Sequence, residues 1–246
     1  MSLYYKYLPI ERIDYLENEL LRFTQPVDLN DPFECIPQRP TKTELKDAIE
    51  KVSKKLPNVN VKEDVLNIEK LFNSAYQNVN NDIGIFSLTK NWNNTLMWAH
   101  YTESHKGFCV GFNSKDEFFN DYLSTDLEQS KTVKEVVYSN ERVKIPMELD
   151  TPRLGFKPFI TKSTDWAYEK EIRIISTLNL SDKICPKPPF DIHLFKIPHK
   201  AISEIIVGAN IAKNNEIIIK EFCIKNKIDF YNSKVSDRLF DMERIK

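Results

Sequence analysis

Two carboxylates and a guanidinium occupy alternating positions in the segment Trp166-Ala-Tyr-Glu-Lys-Glu-Ile-Arg-Ile-Ile-Ser176. If residues 169–176 form a strand, side chains two apart share a face, so Glu169, Glu171 and Arg173 lie on one side of it. Two neighbouring carboxylates repel each other, which raises the pKa of one member of such a pair. The pattern therefore indicates either a site that uses a carboxylate near neutral pH or a solvated, ion-paired sheet face.

A second group of polar residues lies in Asn30-Asp-Pro-Phe-Glu34, just after the predicted strand that carries Arg22. Asn and Asp before Pro favour a tight turn in which the Asp side chain accepts a hydrogen bond from its own backbone. Loop residues at strand ends also often carry chemistry, so the same turn could direct Asp31 or Glu34 into a cleft. Both interpretations stay open at this stage.

Aromatic and basic side chains are dense just before Gly107, in a stretch that holds Trp98, His100, Tyr101, His105 and Lys106. One interpretation is a helix that packs its aromatic residues against a sheet, with a histidine hydrogen-bonded in the core. The other is a lining that stacks a planar ring and supplies an acid or base at neutral pH. The two histidines are five residues apart, which favours shared metal ligation only weakly, and we predict no metal site.

Composition excludes several classes of function. The 246 residues carry 35 basic and 36 acidic side chains, so the net charge of −1 does not indicate a nucleic-acid partner. No stretch approaches the roughly 18 apolar residues of a membrane-spanning helix, and no signal-peptide pattern opens the chain. We therefore expect a cytoplasmic protein with no membrane partner. The five glycines form neither GxGxxG nor a P-loop, and the four scattered cysteines are typical of reduced thiols.

The periodicity of apolar residues predicts one α+β domain over 1–246, with a mixed, mainly antiparallel sheet and flanking helices. The chain opens as strand, helix, strand. Thr41-x-x-Glu44 is a capping box, and the apolar stripes after it predict a helical-hairpin insert over 41–80.

Further strands are predicted at 83–88, 107–112, 134–138, 171–176, 203–208 and 227–231. Helices are predicted at 95–101, capped by Asn94, and at 114–122 and 213–225.

Together these motifs carry a resemblance. The segments concerned are Leu21-Arg-Phe-Thr through Glu34, Phe86-Ser-Leu-Thr89, Met97-Trp-x-His-Tyr101 with His105-Lys-Gly-Phe108, and Trp166-x-Tyr-Glu-x-Glu-x-Arg173. In this combination and order they resemble the bacterial domain-of-unknown-function family numbered 2971. That resemblance extends over nearly the full length but implies no biochemical activity.

A looser resemblance is to ADP-ribosyltransferases, in the order of an aromatic strand with a cation, a helix, a strand, a Phe-Ser-Leu-Thr strand and a late Glu-x-Glu strand. It implies NAD as a dinucleotide ligand, with a setting such as stress or phage defence. It implies that Lys6 or Arg22 holds the phosphates, that Ser87, Tyr101 and His100 contact the dinucleotide, that Glu171 is the catalytic acid, and that Glu169 orients or deprotonates an acceptor. The remaining motif residues are expected to support or line the site: Asn30, Asp31, Glu34, Trp98, His105, Trp166 and Arg173.

Two other functions stay open. One is a metal-dependent nuclease or phosphodiesterase, in which Asp31, Glu34, Glu169 and Glu171 hold Mg²⁺ and Lys170 or Lys106 lies near the phosphate. The other is a non-catalytic sensor or interaction module, in which the aromatic and histidine residues complete the core.

Overall fold

The computed structural model describes residues 2–55, 79, 81–124, 129–144 and 155–246. Its strands are β1 (Leu3–Leu8), β2 (Leu20–Phe23), β3 (Ile83–Thr89), β4 (Phe108–Asn113), β5 (Tyr122–Leu123), β6 (Ser130–Glu135), β7 (Val137–Tyr138), β8 (Thr161–Lys162), β9 (Glu171–Thr177), β10 (Lys183–Cys185), β11 (Ile192–Lys196), β12 (Ile202–Val207), β13 (Asp229–Val235) and β14 (Met242–Ile245). Its α-helices are α1 (Tyr15–Asn18), α2 (Lys42–Lys55), α3 (Thr95–Tyr101), α4 (Lys157–Ile160) and α5 (Lys213–Asn226).

The chain divides into two compact units, which we describe separately. The first unit comprises Met1–Thr24, Gly84–Val136 and Ala167–Lys246, and the second comprises Gln25–Ile83 and Val137–Trp166. In the part of the chain that the structure covers, no helix is both long enough and apolar enough to cross a lipid bilayer.

A nine-stranded sheet forms the first unit, in the order β14-β13-β12-β4-β1-β3-β9-β6-β5. Strand β1 pairs antiparallel with β4 along its whole length, from Leu3 opposite Asn113 to Leu8 opposite Phe108. Strands β12 and β13, joined by α5, pair in parallel. Helices combined with a mainly antiparallel sheet confirm the predicted α+β class.

The sheet is buried on both faces, and alternate residues of its central strands belong to different clusters. Phe108, Val110 and Phe112 of β4 lie in the large core cluster, whereas Cys109 lies in a second cluster. This is the period of two that a strand imposes. A strand covered on both faces has few polar positions, which explains the apolar run in β4.

Most predicted elements in the first unit are confirmed, with small shifts of their ends, and helices α3 and α5 match closely. The single strand predicted at 134–138 is wrong, because β6 ends at Glu135 and Val137–Tyr138 form the separate strand β7. The helix predicted over 114–122 is wrong, because only a 3-10 turn forms there, at Glu117–Phe119. Asp116 caps that turn by accepting from the Phe118 amide. Strands β10, β11 and β14 were missed by the sequence patterns, and β10 and β11 form a small separate sheet with β2.

In the second unit, the capping box at the start of α2 is confirmed. The Glu44 carboxylate accepts from the Thr41 amide at 2.7 Å, and the Thr41 hydroxyl accepts from the Glu44 amide at 3.2 Å. The second helix of the predicted insert over 41–80 lies almost wholly outside the described residues. The single domain with a helical insert therefore stays a prediction.

Candidate functional site

The candidate site lies on one face of the nine-stranded sheet in the first unit. We call this the aromatic face, and define it by the buried residues Tyr5, Tyr7, Met97, Trp98, Cys109, Ile206 and Met242, with Trp92, Tyr101, Tyr168 and Tyr231 packed against them. The opposite face carries the large core cluster, to which Tyr4 and Leu8 of β1 contribute.

Ser87, Glu171 and Arg173 share the aromatic side of their strands. Their neighbours Phe86 and Leu88 on β3, and Ile172 and Ile174 on β9, all lie in the large core cluster. Because side chains alternate along a strand, the residues between them point to the other face. The alternation predicted for Glu171 and Arg173 is therefore confirmed.

Strands β3 and β9 are neighbours in the sheet. Beyond the end of β3, the Lys90 amide donates to the Lys170 carbonyl at 3.3 Å, just before β9 begins. At the other end, a Cβ on Gly84 would lie 2.6 Å from the Leu178 side chain, just after β9. The end of β3 thus lies beside the start of β9, so the two strands run in opposite directions. In the register that the bond between Lys90 and Lys170 sets, Glu171 lies opposite Thr89 and Ser87 lies opposite Arg173, two residues further along.

Glu171 and Arg173 form a bidentate ion pair. Arg173 Nε donates to Glu171 Oε1 at 2.8 Å, and Nη2 donates to Oε2 at 3.0 Å. Glu171 is 5% exposed and Arg173 is fully buried. The parallel bonds fix the orientation of the carboxylate and favour its ionised form. The interpretation as a solvated, ion-paired sheet face is therefore confirmed for the ion pair and wrong for the solvation, because the pair is withdrawn from water.

Glu169 does not belong to β9, so its predicted place in the strand is wrong. It ends the 3-10 helix Thr164–Glu169, and Lys170 then takes a left-handed conformation with φ of 45° before the strand begins. That turn removes Glu169 from the alternation of the strand. The backbone carbonyl of Glu169 accepts from the Thr89 hydroxyl at 2.5 Å.

The Glu169 carboxylate is nevertheless held on the aromatic face. The Tyr101 hydroxyl donates to Glu169 Oε1 at 2.5 Å, and the Glu169 residue is 2% exposed. Tyr101 ends helix α3 and is itself half-buried. The structure therefore brings together two residues that the sequence places 68 positions apart.

Helix α3 positions the aromatic residues of the site. Trp98 is fully buried, donates from Nε1 to the Trp92 carbonyl at 2.7 Å and packs edge-on against the Tyr7 ring. The His100 side chain lies on the exposed side of the helix, next to Tyr101. For Trp98, the interpretation as a core residue that packs the helix on the sheet is confirmed.

His105 lies after α3, in a turn whose residues Glu103, Ser104 and His105 all have positive φ angles. Its ring stacks on Trp98 with an interplanar angle of 10°. Desolvation lowers the pKa of His105, so the neutral ring is favoured in the folded protein. Within the residues the structure describes, no group of three or more histidine, cysteine or acidic side chains could hold a metal ion.

Lys6 lies on β1 between Tyr5 and Tyr7, on the core side of the sheet with Tyr4 and Leu8. Its ammonium donates to the Ser87 carbonyl at 2.8 Å and lies 4.7 Å from the centre of the Phe86 ring. Desolvation lowers the Lys6 pKa to about 8, although Glu171 and Glu169 oppose the shift.

Lys6 occupies a point where the sheet divides. Strand β3 aligns with β1 at Thr89, opposite Tyr5, whereas Ile85 pairs with Thr24 beyond the end of β2, through two hydrogen bonds of 2.8 Å. Ser87 lies between these two pairings, and its carbonyl accepts from Lys6. Arg22, the other predicted phosphate-binding cation, lies on β2 opposite Leu194 of β11.

In the second unit, the turn predicted at Asn30–Glu34 is confirmed. Asp31 is buried, and its Oδ1 accepts from the Phe33 amide at 2.9 Å, while Asn30 is exposed. Glu34 forms a buried ion pair of 3.0 Å with Lys162, whose ammonium lies 4.7 Å from the centre of the Trp166 ring. Lys162 was missed by the sequence patterns, since one lysine on a two-residue strand gives no periodic signal.

Sequence reasoning also missed a buried polar group at the other end of the aromatic face. Glu204 of β12 accepts from the Tyr5 hydroxyl at 3.1 Å and from Arg244 Nη1 at 2.5 Å. The Arg244 guanidinium lies over the rings of Trp92 and Tyr231. An alternating pattern marks Glu204 as a strand residue but does not identify partners 199 and 40 residues away.

Fold and site together describe an α+β protein with a buried ion pair and a tyrosine-bound carboxylate on one sheet face. Residues 97–174 match the family described as Protein of unknown function (DUF2971). The matched segment includes Trp98, Tyr101, Glu169, Glu171 and Arg173, and it supports the resemblance over that part of the chain. The match does not extend over nearly the full length, since the motif segments at 21–34 and 86–89 lie outside it. Comparison with curated proteins and with solved structures gives no match.

Proposed function

We propose that the aromatic face binds NAD and that the protein is an ADP-ribosyltransferase-like enzyme. The observation that supports this most is the placement of Ser87 and Glu171 on the same face of neighbouring strands, diagonally opposite each other and two residues apart along the strand direction. One nicotinamide riboside can touch both side chains only if they project from the same face and lie near each other along the strands. The stress or phage-defence setting implied by the resemblance stays a prediction.

In this proposal, Glu171 supplies negative charge beside the ribose. Departure of nicotinamide from NAD leaves positive charge on the ribose, and a fixed carboxylate stabilises that charge without reorganising. The ion pair with Arg173 supports this role, because it holds the carboxylate ionised and oriented. Arg173 is then a positioning residue.

Glu169 and Tyr101 form the second part of the proposed site. A carboxylate that already accepts from a phenol is oriented, and it can take a proton from an acceptor nucleophile that attacks the ribose carbon. The half-buried Tyr101 ring offers a stacking surface next to it. Lys6 is not needed for this argument, since its ammonium already donates to a main-chain carbonyl.

A specific observation favours a second candidate, the non-catalytic sensor or interaction module. Glu169, Glu171 and Arg173 are each at most 5% exposed, and each has a hydrogen-bond partner within the chain. Buried, satisfied polar networks of this kind also occur for purely structural reasons. The nuclease alternative gains no comparable support, because no acidic group capable of holding a metal ion is found in the described ranges.

Thermal-shift and calorimetric titration with NAD, ADP-ribose and Mg²⁺ separates these functions. A ligand at about 100 times its Kd stabilises the folded state by about 2.7 kcal/mol, which raises the Tm by about 5 to 10 °C in a protein of this size. Ser87→Ala and Tyr101→Phe are the informative variants, since each removes one hydroxyl and leaves the buried ion pair intact. Glu117→Gln, at an exposed carboxylate, is the matched control.

The NAD proposal requires a saturable rise in Tm that both hydroxyl variants reduce and Glu117→Gln does not. If NAD and ADP-ribose leave the Tm unchanged while the protein is folded and monodisperse, the proposal fails and the sensor module is favoured. Stabilisation by Mg²⁺ alone would instead favour the nuclease.

A further inference from the structure

We propose that Asn94 is a positioning residue that ties helix α3 to the segment carrying Glu169. A role of Asn94 in catalysis rests on the proposed function, whereas the link between helix α3 and the Glu169 segment rests on the hydrogen bonds of Asn94 alone. The oxygen and the nitrogen of the Asn94 side-chain amide form hydrogen bonds with different parts of the chain.

The oxygen end of the Asn94 amide caps α3. Oδ1 accepts from the amides of Leu96 and Met97, at 3.0 and 3.1 Å. These two amides belong to the first turn of the helix, where no main-chain carbonyl is available to them. Helix α3 carries Trp98 and ends at Tyr101.

The nitrogen end of the same amide reaches the other part of the site. Nδ2 donates to the Tyr168 carbonyl at 3.2 Å, one residue before Glu169. The orientation of the amide is determined by its partners, because two N–H donors at one end require oxygen there, and the carbonyl requires nitrogen at the other end. Asparagine satisfies both demands, whereas aspartate and serine can satisfy only the first.

This arrangement links the two partners of the hydrogen bond between Tyr101 and Glu169. Tyr101 is fixed to Asn94 through one short helix, and Glu169 is fixed to Asn94 through the adjacent carbonyl. Thr89 holds the Glu169 carbonyl from strand β3. Asn94 therefore controls the distance between the phenol and the carboxylate without touching either of them.

Hydrogen exchange of the full-length protein, resolved by peptide, tests this link. Asn94→Asp keeps an oxygen at the cap but replaces the donor with an acceptor facing the Tyr168 carbonyl. We expect exchange in the peptide over 164–171 to become roughly three- to tenfold faster, the factor that one net hydrogen bond represents. Exchange over 95–102 should stay unchanged, because the cap is retained.

Two further variants complete the design. Asn94→Ser also keeps a cap without the second donor and should behave like Asn94→Asp, whereas Asn94→Ala should accelerate both peptides. Asn120→Asp, at an exposed asparagine, should accelerate neither. The proposal is overturned if Asn94→Asp leaves the 164–171 peptide unchanged, or accelerates both peptides equally.

NAD titration of the same variants separates this proposal from the proposed function. If the aromatic face binds NAD, Asn94→Asp should weaken the affinity several-fold while Asn120→Asp does not change it. If the wild-type protein does not respond to NAD, the proposed function is lost, and the exchange result still decides whether Asn94 positions Glu169.

Discussion

Lys6→Met should make the protein more stable at neutral pH. The ammonium of Lys6 is desolvated, which lowers its pKa from the usual 10.5 to about 8. Each unit of pKa difference between folded and unfolded states is worth about 1.36 kcal/mol, so the charged lysine disfavours folding by about 3 kcal/mol at pH 7. Methionine has a similar length and carries no charge.

The expected gain is smaller than that full amount. Lys6 also donates to the Ser87 carbonyl at 2.8 Å, and loss of this hydrogen bond costs about 1 kcal/mol. We therefore expect Lys6→Met to raise the free energy of unfolding by about 2 kcal/mol at pH 7.

The pH dependence gives a sharper test. Between pH 8 and 10.5 the unfolded state binds more protons than the folded state, so the wild-type protein gains stability as the pH rises. The difference in free energy of unfolding between Lys6→Met and the wild-type protein should therefore decrease by about 2 kcal/mol between pH 7 and pH 10.

Urea unfolding followed by tryptophan fluorescence at both pH values measures this difference, with Lys115→Met at an exposed turn as the control. A Lys6→Met protein that is less stable than wild type at pH 7, by an amount that does not change with pH, would refute the reasoning. In that case the Lys6 ammonium would be a net stabilising element of the junction between β1 and β3.

Three further outcomes are expected. Glu171→Gln should destabilise the fold by about 3 to 5 kcal/mol, because it removes the negative charge that binds the fully buried Arg173 through two hydrogen bonds. The double variant with Arg173→Met should recover much of that loss in urea unfolding, and equal instability of both variants would contradict this account. Gly111→Ala should lower the free energy of unfolding by about 1 to 3 kcal/mol, since the added Cβ would lie 2.8 Å from Glu204 Cγ. An unchanged Tm would contradict this close contact between β4 and Glu204. The pKa of His105 is lowered in the folded state, so the unfolded chain binds more protons as the pH falls. Acidification from pH 7.5 to 5.5 should therefore destabilise the wild-type protein more than the His105→Gln variant. If the free energies of unfolding of the two proteins changed in parallel over this range, the prediction would be wrong.

Local rules were sufficient for much of the fold. The short apolar run in Phe108–Asn113 and the alternation of charged and apolar residues at the start of Glu171–Thr177 identified both strands, because both patterns arise from the backbone of a strand itself. Asn94 and Thr41 identified two helix starts, since an N-cap depends on residues three positions apart or fewer. The Asx turn at Asp31 was likewise readable from its neighbours.

The same rules failed where one residue interrupts a pattern. The left-handed conformation of Lys170 separates Glu169 from the strand that begins at Glu171, although the spacing of the two acids is that of a strand. Lysine gives no signal for a positive φ, unlike glycine or asparagine. Only the tertiary structure shows that Glu169 turns away from β9 and meets Tyr101 instead.

The sequence by itself determined the α+β class, the central strands and the acids, serine and aromatic residues from which a site could be built. The tertiary structure alone decided which of them meet. It joined Glu169 to Tyr101, buried Glu171 with Arg173, and set Lys6 on the Ser87 carbonyl. Such pairings depend on the order of strands in the sheet and on desolvation, and both arise from contacts between residues far apart in the chain, which no local spacing encodes.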